Sequence, residues 1–263
     1  MVDWIRQGVA DVLRSAKAYH LWLLLGWVEI RQRYARSKIG PFWLTISMAI
    51  LVTALGLVYG TLFKADLHEY LPLLAIGFVF WAFISTTIND GCNAYIGASA
   101  YIKQVPTPRG VYVFQTVWRN LIILAHNVVI VVLVLLIFRI NFWSGLPWFV
   151  LGFALLLWNL LWLVCFLALV CARFRDLPQI VASFIQVIFY ITPILFKRDM
   201  LDRYPLLIDL NPFAHLIEVV RSPLLGQPVP ALSWWVCVGM AVVGTGLALF
   251  MHGRYRARIP YWV

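Results

Sequence analysis

The sequence predicts an all-α polytopic membrane protein. It has six transmembrane helices, an N-terminal amphipathic interface helix and a re-entrant outer hairpin between spans five and six. Three observations carry that prediction. Of 263 residues, 63% are hydrophobic and 12% charged, against about 25% charged in soluble domains; a soluble fold of this size cannot hide so much apolar surface. The apolar residues come in runs close to the roughly 20 that a spanning helix needs. The basic residues fall between those runs.

The first span is read at 41–63, uncharged throughout, with Pro41 suited to the first turn of a helix. The second is 71–89, ending at Asp90. The third is 121–138, with Arg119 at its edge. The fourth is 146–172, the fifth 180–196 with Pro193 inside it, and the sixth 232–251. Six spans put both termini on one side. Fifteen Lys and Arg residues then share that side and six lie opposite, so the termini are expected in the cytoplasm. No signal-peptide pattern precedes the first span.

Residues 206–226 resemble a further span but fail an energetic test. Eleven Leu, Ile, Val or Phe residues gain roughly 0.3–0.6 kcal/mol each at a helix centre. Asp209, Glu218 and Arg221 would cost about 2.5–3.5 kcal/mol apiece there. Pro212 and Pro223 interrupt the helix as well. A re-entrant or interfacial hairpin is expected, which is tolerated where it packs on protein or lines a wet cavity. Residues 21–30 are apolar but too short to cross, and they run into basic residues, as in a helix lying on the cytoplasmic surface. One permease domain, 1–263, is expected: an N-terminal segment 1–40, a six-span region 41–251 and a cytoplasmic tail 252–263.

Several chemistries are disfavoured. The net charge of +10 follows the spans and so gives no sign of nucleic-acid binding. No lysine follows a glycine, so a P-loop is impossible. The histidines have no metal-like spacing, and no metal or cofactor is expected in this chain. Four scattered cysteines read as small hydrophobes. His126 and Asn127 in the third span and Asn159 in the fourth suit either a polar pathway or interhelical hydrogen bonds. No acidic residue lies deep in a span, which argues against ion-coupled transport.

Arg31, Arg33, Arg36 and Lys38 precede the first span. They suit topogenic charge and anionic lipid, or a phosphate head group such as a lipid diphosphate. Most of the 13 tryptophans fall at span ends, as an interfacial belt. Tyr59, Phe80, Phe189 and Tyr190 lie within spans and suit either packing or a glycan-lining surface. An integral-membrane glycan or lipid transferase is the alternative reading, with Asp90, Asp176 and Asp209 as its only plausible acids.

Four strings carry a family resemblance: RYARSKIGPFW at 33–43, INDGCNAY at 88–95, ARFRDLPQIV at 172–181 and LNPFAHLIEVVRSPLLG at 210–226. In order and spacing they resemble the membrane subunit of polysaccharide-exporting ABC transporters of the O-antigen and teichoic-acid type (Wzm-like permeases). The resemblance implies a homodimer in the bacterial inner membrane, with two copies of a separate ATPase subunit that binds ATP and Mg. It implies a coupling helix within 98–109, offering Ala98, Tyr101, Ile102, Lys103 and Arg109 to the ATPase. The N-terminal amphipathic helix would flank an entry gate. Asn211, Pro212, Phe213, Glu218 and Arg221 would belong to an outer gate. The implied substrate is a polysaccharide on an undecaprenyl-diphosphate carrier.

Overall fold

The apolar runs form long helices, and prolines, glycines and paired charges set where each one ends. The computed structural model describes residues 2–35, 40, 42–196, 198–201 and 205–263. Arg36, Lys38 and Pro41 lie outside the described residues. All regular structure among the described residues is helical. In chain order the helices are α1 (Val2–Lys17), α2 (Tyr19–Tyr34), α3 (Phe42–Leu62), α4 (Leu67–Cys92), α5 (Ala94–Gly97) and α6 (Ser99–Gln104). There follow α7 (Gly110–Ile137), α8 (Leu146–Arg173), α9 (Leu177–Ile191), α10 (Pro205–Asp209), α11 (Pro212–Leu224), α12 (Ala231–Tyr255) and α13 (Ile259–Trp262).

Five segments are long and apolar enough to cross a membrane: α3, α4, α7, α8 and the stretch beginning with α12. The expected fifth span is shorter than predicted. α9 has 15 residues, or about 22 Å at 1.5 Å per residue, against a hydrocarbon core of about 30 Å. The cause is Pro193. Thr192, the residue before it, is extended at φ −81°, ψ 134°, as a following proline favours. The helix therefore stops at Ile191 and not at residue 196.

The third predicted span also changes. α7 starts at Gly110, not at residue 121. Arg119 therefore lies within the helix, nine residues from its start, and pairs there with Glu29 and Asp90.

α4 is the central helix. It packs against α3, α7, α8, α9 and α11, and Ile76, Phe80, Ile84 and Ile88 join Leu156, Leu160, Leu216 and Ile217 in the main core. α11 lies in that core with nearly every residue buried. Asn211 caps it by accepting the Phe213 N–H at 3.0 Å, satisfying one of the free amides of the first turn. Backbone contact holds it to α8, since a Cβ on Gly145 or Gly152 would overlap the Pro223 and Val219 carbonyls. Within the segment that failed as a lipid-facing span, α11 is thus enclosed by protein, where Glu218 and Arg221 pair, and Asp209 at the end of α10 meets Arg198.

α3 and α4 run antiparallel, Gly56 meeting Leu71 and Gly60 meeting Leu67, whereas α8 and α12 run the same way, Trp148 meeting Trp234 and Trp162 meeting Gly244. One end of the bundle, here the basal end, gathers α1, α2, α5, α6 and α13. The distal end carries α10, α11 and the 138–145 loop. Two helices, not one, precede α3. α1 packs on α12 and α7, and α2 packs on α7.

Candidate functional site

α9 has an unusual surface for an apolar helix. Ile185 is its buried residue; Gln179, Ser183, Gln186 and Tyr190 are exposed along one line, and Ile180, Phe184, Val187 and Ile191 along the line beside it. The 4-3-4 spacing of the polar line places its residues on one helical face. The neighbouring α4, which meets α9 through Phe78, Trp81 and Phe189, continues the polar edge. Thr86 and Asn93 are exposed there, and Ser85 and Asn89 are half-buried. Amide side chains on an apolar helix are poorly placed against lipid, which offers them no hydrogen bonds. This edge therefore faces water or another protein. By contrast α12 exposes Val238, Val242, Val243 and Leu247, an ordinary lipid-compatible face.

The four aromatic candidates do not form one lining. Tyr190 is 64% exposed and sits on the polar face of α9. Phe189 is half-buried against Phe78 and Trp81. Tyr59 is half-buried on α3, beside Phe63. Phe80 is 1% exposed and packs edge-on to Phe149 and Phe153. Its ring belongs to the core.

At the basal end, Arg119 on α7 forks between two helices. Nη1 donates to Glu29 of α2 and Nη2 to Asp90 of α4, the latter at 2.8 Å. Gln115 also donates to Glu29 and Asn120 to Asp90. Glu29, Asp90, Gln115 and Arg119 border a polar cleft of about 290 Å³ that includes Arg33, Asn93, Tyr101 and Tyr112. Arg31 lies on a different cleft, with Trp27 and Tyr34. Two residues apart on a helix, the two arginines diverge, so the structure does not bring Arg31 and Arg33 together. Arg36 and Lys38 are outside the described residues.

The 98–109 segment comprises α6 and a turn. Tyr101 and Lys103 are exposed, and Ala98 is half-buried. Ile102 is 2% exposed and packs inward. Arg109 donates to the Ile102 carbonyl at 3.2 Å, so it staples the turn between α6 and α7.

At the distal end, Asn211 also donates to Thr192 Oγ1 at 2.9 Å, tying α11 to the end of α9. Pro212 opens α11, and Phe213 meets Trp81 edge-on. Glu218 pairs with Arg221 at 2.9 Å, and Arg221 also donates to the Pro193 carbonyl. These five residues therefore link α11 to α4 and to the break after α9. Asn159 donates to the Cys237 carbonyl across α8 and α12 at 3.1 Å, as interhelical bonding requires. His126 bonds within its own helix, to the Ile122 carbonyl.

Reading the sequence for periodicity would have found Gln179, Ser183 and Gln186 at helical spacing in an apolar run. Glu29, Asp11 and His252 carried no such signal, because the partners of their side chains lie 86 to 245 positions away.

The family profile described as "ABC-2 type transporter" matches residues 20–225, which takes in nearly all of α2 and the whole of α4, α9 and α11. The chain belongs to that family. This ABC-2 chain is therefore a multi-pass membrane protein and a transport subunit rather than a catalytic enzyme. It is similar to two curated proteins of Klebsiella pneumoniae, each named O-antigen export system permease protein RfbA. Both are 21% identical to it, over 87% of this chain and 90% of theirs. A protein of the same name from Myxococcus xanthus is 23% identical, over 77% of this chain and 79% of its own length.

Proposed function

We propose that this ABC-2 chain is the permease subunit of an ATP-driven exporter for a lipid-linked polysaccharide. The observation that carries the reading is the exposed polar face of α9 in a chain whose relatives are named for O-antigen export. A second copy of the chain, set against α9 and the polar edge of α4, encloses a path whose walls are amides, hydroxyls and Tyr190. Such groups exchange hydrogen bonds readily with sugar hydroxyls and hold no one residue tightly, which suits a long polymer in transit.

In this reading the whole chain, 1–263, is one permease domain of the bacterial inner membrane. Both termini and the basal end face the cytoplasm. α9 is the short fifth span, and α11 with its cap Asn211 forms a re-entrant outer gate. α2 lies at the cytoplasmic interface beside the entry. Arg33, in the polar cleft, meets the diphosphate of an undecaprenyl carrier, and Arg31, Arg36 and Lys38 are the further cations of that entry. Tyr101 and Lys103 form the exposed contact with each of two ATPase subunits, which supply ATP and Mg, while Ile102 and Arg109 hold that contact in shape.

Aqueous labelling tests the path. In native membranes, a membrane-impermeant maleimide is expected to modify Gln186→Cys and Ser183→Cys but not Val243→Cys, which is 73% exposed as valine in the single protomer. Equal protection of all three would place α9 against lipid or in a dry contact and remove the path.

A further inference from the structure

One buried polar cluster at the basal end has no part in the path. Asp11 of α1, His252 of α12 and Tyr95 of α5 meet there, at 7%, 1% and 0% exposure. His252 Nε2 lies 2.9 Å from Asp11 Oδ2, and its Nδ1 lies 3.4 Å from the Tyr95 hydroxyl. Asp11 also accepts the Gly110 N–H at 3.2 Å, at the first residue of α7. Arg256 lies 4.0 Å from its other oxygen, and Cys165 of α8 adjoins the imidazole. Burial alone would raise the Asp11 carboxyl, but His252, Gly110 and Arg256 outweigh it and hold the group below the ordinary carboxylate range. Asp11 is thus an acceptor and fixes Nε2 as a donor. Nδ1 faces a hydroxyl that both donates and accepts, so the contact survives either charge state of the ring.

The location gives the cluster its meaning. α5 and α6 have four and six residues, too short to hold a shape alone. They are anchored by Tyr95 and Ile102, which insert among α7, α8 and α12. α1 is pressed on α12 by backbone contact, since a Cβ on Gly8 would overlap the Leu249 carbonyl and one on Gly253 the Trp4 carbonyl. The inward face of α1 is Gly8, Asp11 and Ser15, so a single carboxylate is its polar key. A buried ion pair adds little stability over an apolar plug of equal shape. What it does add is a fixed mutual position for the groups that share it.

We propose that Asp11, His252 and Tyr95 are positioning residues of a latch that carries movement of α5–α6 to α12 and α1. The inference rests on the reading of α6 as the ATPase contact. When the ATPase displaces α6, Tyr95 shifts the imidazole, and the Asp11 end of the relay draws α1 with α12. The N-terminal helix is then part of the transmission and not a passive raft on the lipid.

The test uses the full permease–ATPase complex in vesicles of phosphatidylethanolamine and phosphatidylglycerol. Tyr95→Phe keeps the ring and removes one oxygen. It is expected to retain as much ATPase as the wild type, with the same KM for ATP, while the kcat that the permease confers falls about threefold or more. Asp11→Asn and His252→Gln are each expected to lower that kcat, and the double variant to fall no further than the worse single one. A purely structural cluster would lower thermal stability and ATPase retention and leave kcat per retained ATPase unchanged in Tyr95→Phe; that result, or additive losses, overturns the latch. A wild-type permease that retains no ATPase fails earlier, at the reading of α6, and takes the latch with it.

Discussion

Arg221→Met is expected to destabilise the protein by about 3–5 kcal/mol, because it breaks a buried ion pair from one side. Arg221 is 4% exposed. Its guanidinium donates to the Glu218 carboxylate and to the Pro193 carbonyl. Methionine fills much of the volume but leaves a carboxylate with only the Ser222 hydroxyl and a carbonyl without its donor. In a chain of this size each kcal/mol corresponds to roughly 2–4 °C, so thermal unfolding in detergent should move down by about 10 °C. Adding Glu218→Gln removes the stranded charge and should recover about half of the loss. Equal stability of Arg221→Met and wild type would mean that α11 is held by its apolar packing alone.

The second large effect concerns Arg119. Its two Nη atoms reach carboxylates on different helices, a task for a planar fork that one lysine ammonium cannot repeat. Arg119→Leu leaves Glu29 and Asp90 facing each other without a cation. The expected cost is about 2–4 kcal/mol, with the lower part of the range allowed because Glu29 is 39% exposed. Arg119→Lys should lose about half as much. α2 should bear most of the loss, as Glu29 is its polar tie to α7 and Gly26 its close contact with Trp118. Amide hydrogen exchange is expected to quicken across Tyr19–Tyr34 in both variants and to stay unchanged in α12. Unchanged exchange in α2 would show that its packing suffices without the bridge.

Features that depend on local composition were legible in the sequence. The apolar runs that became α3, α4, α8 and α12 are close to their predicted bounds. The segment with Asp209, Glu218 and Arg221 did not form a lipid-facing span, as its transfer cost required. Two features were obscured because distant partners decide them. The ion pairs of Arg119 were hidden, since nothing nearby announces Glu29 and Asp90. α1 does carry an apolar stripe, Ile5, Val9, Val12 and Ala16 at helical spacing, but the face it buries, Gly8, Asp11 and Ser15, is small and polar and gives no sign of its partners. Pro193 is visible in the sequence, and its effect is local: Thr192 before it leaves the helix, and α9 ends at Ile191. For the aromatic residues, position within a span gave depth but not direction, which is why Phe80 and Tyr190 looked alike and pack in opposite ways.

The central claim is that the polar face of α9, paired across two copies, walls a polysaccharide path driven by a partner ATPase. Export in inverted vesicles tests it most directly. The vesicles carry the complex and a lipid-linked polysaccharide in the outer leaflet, and an added glycosidase reads how much polymer stays exposed. With ATP, wild type is expected to draw the polymer inside and protect it. Gln186→Trp, which narrows the path without touching α6, should bind and hydrolyse ATP but protect about tenfold less polymer. No ATP-dependent protection by the wild type, or full protection by Gln186→Trp, would contradict the account.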